Sequence, residues 1–181
     1  MHQIAPLLIA YYEHVVNALP NGEIMAKQLS AGDKAPAFRL ETDEGKISSA
    51  ALVGSPYVLY FYPKDDTSGC TSEAVGFSKS ARKFAGIGVE IIGVSKDSVQ
   101  SHEKFRAKHD LKIKLASDPD KKMAMDYGVW GEKKLYGRTY MGVERATFLV
   151  DDHGVIRQVW RKVKVPGHVE AVLEAAQALK G

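Results

Sequence analysis

The stretch Tyr57-Val58-Leu59-Tyr60-Phe61-Tyr62-Pro63-Lys64-Asp65-Asp66-Thr67-Ser68-Gly69-Cys70 decides the fold. Its first six residues are aromatic or aliphatic with little polar alternation, the mark of a strand buried on both faces. Pro63 stops that strand. A helix is expected from about Ser68 to Ala85, with Ala74, Phe77, Ala81 and Phe84 as its buried stripe and Gly86 and Gly88 at its end. A second apolar run, Val89-Glu90-Ile91-Ile92-Gly93-Val94, follows as another buried strand. Two strands joined through a helix form a parallel pair.

Outward from this unit the pattern continues. A helix is expected over 98–109, a short strand over 113–116, and a helix from Asp118-Pro119 to about Tyr127 with proline in its first turn. Residues 128–142, rich in glycine and aromatics, read as a structured loop. Ala146 to Val150 is a strand, Asp151-Asp152-His153-Gly154 a hairpin turn, Val155 to Trp160 its partner, and Pro166 to Leu179 a closing helix. On the N-terminal side, residues 37–40 read as a short strand and 44–46 as a turn. The order predicts an α/β domain over 30–181, with a central mixed β-sheet flanked by helices on both faces. Residues 1–29 read as an N-terminal helical extension or leader: Leu8, Tyr11, Tyr12, Val15, Val16 and Leu19 recur at helical spacing over about 7–19, and Met25 is an alternative start.

Composition narrows the function. A chain of 181 residues fits one domain, which at this size buries about 70% of its unfolded surface and needs no disulfide or metal to hold it. The 25 basic residues lie scattered among 22 acidic ones for a net charge of +3, so nothing points to nucleic acid. No stretch approaches a membrane span, and the start lacks a basic region before its apolar run, so the reading is cytoplasmic. Neither a metal nor a cofactor motif is present. The six histidines, His102 and His109 among them, read as surface residues, and Trp130 and Trp160 as packing residues.

The single cysteine, Cys70, falls in the first turn of the helix after the central strand. There the backbone N–H groups have no partner within the helix, and with the macrodipole they favour a thiolate. The carboxyl end of a parallel strand is also where open α/β sheets place ligand crevices. A lone cysteine can equally be a small buried hydrophobe.

Pro63-x-x-x-Thr67-x-x-Cys70 resembles the active-site signature of the peroxiredoxins. Arg145, entering a late strand as Arg145-Ala146-Thr147-Phe148, resembles the second signature of that family. The loop Gly128-Val129-Trp130-Gly131-Glu132-Lys133, with Tyr136-Gly137 and Tyr140-x-Gly142, is similar to the bacterioferritin comigratory, or Q-type, subgroup. The resemblance runs over about 30–179 and implies a thioredoxin-like fold and a thiol-dependent peroxidase. It makes Cys70 the nucleophile that attacks a peroxide oxygen. Thr67 would orient the peroxide, although its type also suits a helix cap. Arg145 would set a permanent charge against thiolate and peroxide. Gly69 and Cys70 would offer backbone N–H groups, Pro63 would shield the sulfur, and Glu73 would brace the arginine.

The chain departs from the subgroup at Val75, five residues past Cys70, where many members carry a second cysteine. The resemblance therefore implies a one-cysteine mode. The sulfenic acid formed on Cys70 is resolved from outside, by a thioredoxin, a glutaredoxin, a small thiol or another copy's Cys70. The expected partners are a hydroperoxide and that thiol, with the chain a monomer or weak homodimer. Rival readings are a thioredoxin-like reductase, which lacks its Cys-x-x-Cys here, a thiol sensor or binding module on the same fold, and a cysteine hydrolase, which lacks a recognisable histidine partner.

Overall fold

The computed structural model describes residues 28–179, preceded by two short strands, β1 (Val16–Ala18) and β2 (Ile24–Ala26), that pair antiparallel. The helix expected over 7–19 lies outside the described residues except for Val16–Ala18, which is strand rather than helix. Across 28–179 the strands are β3 (Arg39–Thr42), β4 (Gly45–Ser48), β5 (Tyr57–Phe61), β6 (Glu90–Ser95), β7 (Lys114–Ser117), β8 (Trp130–Leu135), β9 (Arg138–Val143), β10 (Ala146–Val150) and β11 (Ile156–Trp160). The α-helices are α1 (Ser68–Gly86), α2 (Val99–His109), α3 (Lys122–Asp126) and α4 (His168–Ala178), and a 3-10 turn covers Ser49–Leu52.

Within the described residues seven strands form one mixed sheet in the order β11-β10-β5-β6-β7-β3-β4. The pairs β5–β6 and β6–β7 are parallel, and β10 runs antiparallel to β5. The unbroken apolar run of β5 has its reason in this central place. Val58, Tyr60 and Tyr62 point into one core with Phe77 and Phe84 of α1, Phe105 of α2 and Val172 of α4. Tyr57, Leu59 and Phe61 point into the other, with Met123 of α3, Tyr127 and Phe148. Side chains alternate across the sheet while both sides are dry, so no polar alternation survives. Gly93 lies opposite Tyr60 in the β5–β6 register. A Cβ there would sit 2.5 Å from the Tyr60 hydroxyl, so only glycine admits the ring.

Two expectations change. Residues 128–142 are not a loop: β8 and β9 form a hairpin paired from Trp130↔Val143 to Leu135↔Arg138, turning at Tyr136 and Gly137, both with positive φ. Leu135, Tyr136, Tyr140 and Met141 are exposed, so the ribbon lacks the one-sided apolar pattern that announces a strand. The helix expected from Asp118 begins later, at Lys122. A turn closes first, with Lys121 N–H donating to Asp118 O, and the Asp118 carboxylate then accepts from Met123 and Ala124 N–H at 3.1 and 2.9 Å.

Phe148 binds the second core together, edge-on to Phe61 at 5.8 Å and Tyr127 at 5.1 Å. Phe148→Ala is expected to cost about 3–5 kcal/mol, read as a lowered urea midpoint with unchanged slope.

Candidate active site

The site forms where β5 ends. Its antiparallel neighbour β10 begins there, with Ala146 paired to Phe61, so Arg145 enters the sheet beside the loop that carries Pro63 to Thr67. The Arg145 carbonyl is pinned by Val163 N–H at 3.0 Å. Cys70, third residue of α1, is buried, with 1% of its surface exposed. Arg145 Nη2 donates to Cys70 Sγ at 3.2 Å, and Arg145 Nη1 is paired with Glu73 Oε2. Glu73 lies one turn along α1 from Cys70 and is fully buried, so one side of the helix presents both groups to the guanidinium. At Gly69 a Cβ would stand 3.3 Å from Arg145 Nη2, and the glycine lets the guanidinium lie against the helix start.

Four of the six residues read from the sequence therefore form one contiguous group: Cys70, Arg145, Glu73 and Gly69. Pro63 is half-buried where β5 stops. Thr67 occupies the N-cap position of α1 in extended conformation, but its hydroxyl makes no cap bond and donates instead to Lys64 O at 3.0 Å. The capping alternative for its side chain is thus not realised.

The electrostatics follow from burial. Desolvation acts to lower Arg145, but Glu73 and Cys70 outweigh it and hold the guanidinium charged. Burial pushes the Glu73 carboxyl up to about 7 against the pull of Arg145. Burial, then the charges of Glu73 and Cys70, push the Tyr60 phenol far up. Among the described residues its hydroxyl has no hydrogen-bond partner.

Two histidines correct the surface reading. His102 is fully buried, with Nδ1 2.9 Å from Asp65 Oδ2. His168 of α4 is buried with Nε2 2.8 Å from Thr147 Oγ1 and 3.9 Å from Glu73 Oε1. Each has one ring nitrogen bonded to a side chain on another element, which periodicity within one helix does not reveal. Asp65, also missed, accepts from Tyr62 OH and Ser101 Oγ at 2.7 Å each. Burial pushes its carboxyl up, but hydrogen bonds from His102, Ser101 and Tyr62 outweigh that and hold it below the usual range. Lys133 of β8 belongs to the same electrostatic neighbourhood. Burial first and Arg145 second lower its pKa, while Glu144 and Cys70 raise it.

The AhpC/TSA family matches residues 31–159. The chain belongs to that family. Peroxiredoxin Bcp of Bacillus subtilis is 46% identical over 153 residues, 84% of this chain and 96% of that one. Among solved structures, the bacterioferritin comigratory protein of Xanthomonas campestris superposes with a TM-score of 0.76 at 41% identity, covering 80% of this chain and 92% of its own. A PrxQ variant of Xylella fastidiosa gives 0.81 at 34%, covering 86% and 100%. This peroxiredoxin thus carries the thioredoxin-like fold and the Q-type resemblance expected of it, with one cysteine.

His168 makes a pH signature. Burial and then the Arg145 charge push its pKa down from 6.5 to about 4. The unfolded chain therefore takes up this proton first, and stability intact above 6.5 is lost as pH falls toward 4. Glu73 runs the opposite way, its contribution fading as pH rises through about 7. His168→Gln keeps a group able to meet Thr147 but removes the titration. Its urea midpoint is expected to fall less steeply than wild type between pH 6.5 and 4.

Proposed function

We propose that the Cys70 thiolate reduces hydrogen peroxide and organic hydroperoxides, with Arg145 as the charge that steadies the reacting atoms. The observation that carries this is the 3.2 Å contact from Arg145 Nη2 to Cys70 Sγ beside the buried Arg145–Glu73 pair. The thiolate attacks one peroxide oxygen in line with the O–O bond. The S–O bond forms, the O–O bond breaks, and the other oxygen leaves with its electron pair and takes a proton to become water or an alcohol. Arg145 is permanently charged and carries more N–H donors than its bonds to Glu73 and Cys70 use, so it meets the negative charge that grows on the leaving oxygen. Thr67 is exposed at the mouth of the helix start, within the same loop, and orients the peroxide. Pro63 walls off the sulfur, and the Gly69 and Cys70 N–H groups add to the positive end of α1. Glu73 acts through Arg145 and touches no substrate. Alkyl peroxides are substrates alongside hydrogen peroxide, a reading supported by the alkyl peroxide reduction activity named for the Xanthomonas relative.

Cys70 is the sole cysteine of the chain, so its sulfenic acid has no internal thiol. An outside thiol condenses with it, releasing water and leaving a mixed disulfide. A second thiol then displaces Cys70 by disulfide exchange. A thioredoxin, a glutaredoxin or a small thiol supplies these equivalents, and the chain works as a monomer or weak dimer in the cytoplasm.

Cys70→Ser is expected to abolish thiol-dependent peroxide consumption with the fold intact, and retained turnover in the pure variant sinks the mechanism. Arg145→Ala is expected to slow the peroxide step roughly 100-fold, measured under single turnover. Val75→Cys tests the resolving step. Five helical residues separate the two positions by about 7.5 Å along the axis, beyond disulfide reach while α1 is wound. After one equivalent of peroxide the variant is expected to close an internal disulfide and to yield less sulfinic acid than wild type by mass spectrometry.

A further inference from the structure

The loop from Pro63 to Thr67 is held from behind by a network that the chemistry does not use. Asp65 is buried and accepts three hydrogen bonds, from Tyr62 OH, Ser101 Oγ and His102 Nδ1. A carboxylate only accepts, so Nδ1 of His102 carries the proton in this contact. Nε2 of that ring is buried with no hydrogen-bond partner among the described residues. The Asp65 N–H donates to Asp97 Oδ2 at 2.9 Å, and Ser95 Oγ holds the same oxygen at 2.7 Å. The next residue, Asp66, has φ 57° and bonds Lys108 Nζ at 2.5 Å and His109 Nε2 at 2.8 Å. Two successive aspartates thereby fasten the loop to α2 at Ser101–His102 and again at Lys108–His109.

This matters because α1 has no side-chain cap of its own. Thr67, at the N-cap, bonds back to Lys64 O. The first turn of α1, which contains Cys70, is therefore steadied by the loop before it. Cys70 is 1% exposed. A peroxide is small enough to be guided to a buried sulfur, whereas an outside thiol must approach along the axis of the bond it breaks. The turn that serves the first step obstructs the second.

We propose that Asp65, with Ser101 and His102, is a positioning clamp that keeps the first turn of α1 wound for peroxide attack and sets how readily that turn opens for the resolving thiol. The proposal rests on the peroxidase reading above. Its loss moves the two half-reactions in opposite directions: attack slows because Cys70 and Thr67 are less well held, and resolution quickens because the sulfur is reached more often.

The test uses Asp65→Asn, which keeps the shape but sets an amide N–H₂ against a hydroxyl or imidazole donor. Ser101→Ala removes one of the three bonds and is the milder variant. Sulfenic acid formation is followed under single turnover in the one-cysteine protein, and disulfide closure is followed in the Val75→Cys background after one equivalent of peroxide. Asp65→Asn is expected to slow formation at least about tenfold, as befits loss of hydrogen bonds to a charged group, and to accelerate closure. Ser101→Ala is expected to shift both rates the same way by less. General damage to the fold would slow both steps. The proposal is overturned if both variants slow both steps or leave both unchanged, or if no disulfide closes in any background. Failure of the peroxidase reading itself shows separately, as peroxide consumption by Cys70→Ser.

Discussion

Arg145 puts a permanent charge where little water reaches, and the surrounding architecture is arranged to tolerate it. A buried guanidinium is costly unless its donors are met. Here one end meets the fully buried Glu73 and the other meets Cys70 Sγ. Removing either partner leaves a charge without an answer in a place of low dielectric. The pairing therefore joins α1, which carries Cys70 and Glu73, to Arg145, the residue just before β10. The antiparallel pairing of β10 with β5 brings these two elements to the same end of the sheet.

Further layers support that contact. His168 comes from α4 to meet Thr147 of β10 and to lie near Glu73, so the closing helix takes part in enclosing the charge pair. Neutral imidazole is the form that suits this place: burial first, and the facing Arg145 charge second, lower its pKa. On the other side, Gly93 leaves room for Tyr60 to stack on Phe77 at 4.8 Å, which seats α1 on the sheet. Asp65 and its α2 partners secure the loop between. The reactive sulfur thus sits at a junction of three helices and two strands, and its surroundings are fixed by tertiary contacts rather than by the helix that bears it.

Much of this was legible along the chain. The apolar run of β5, the proline after it and the stripe Ala74, Phe77 and Phe84 gave the strand, its stop and the helix to within a residue or so, because burial on both faces writes itself into consecutive residues. Cys70, Arg145, Glu73 and Gly69 were also legible, through a spacing that resembles a known signature. The hairpin β8–β9 was not, since both faces of an exposed ribbon accept polar and apolar residues alike. The two histidines were misplaced because a partner such as Asp65 or Thr147 lies 37 or 21 positions away.

The sequence by itself determined the element order around Cys70, the parallel core of the sheet and the absence of an internal resolving thiol. Local propensity, two-sided burial and a simple inventory of residue types suffice for these. Only the tertiary structure decided that the Arg145 guanidinium bridges Cys70 and Glu73, that Thr67 leaves α1 without a side-chain cap, and that Asp65 and Asp66 bind the loop to α2 instead. Such contacts depend on which side chains the sheet register and helix docking bring within about 3 Å of one another, and no pattern along a single segment encodes that distance.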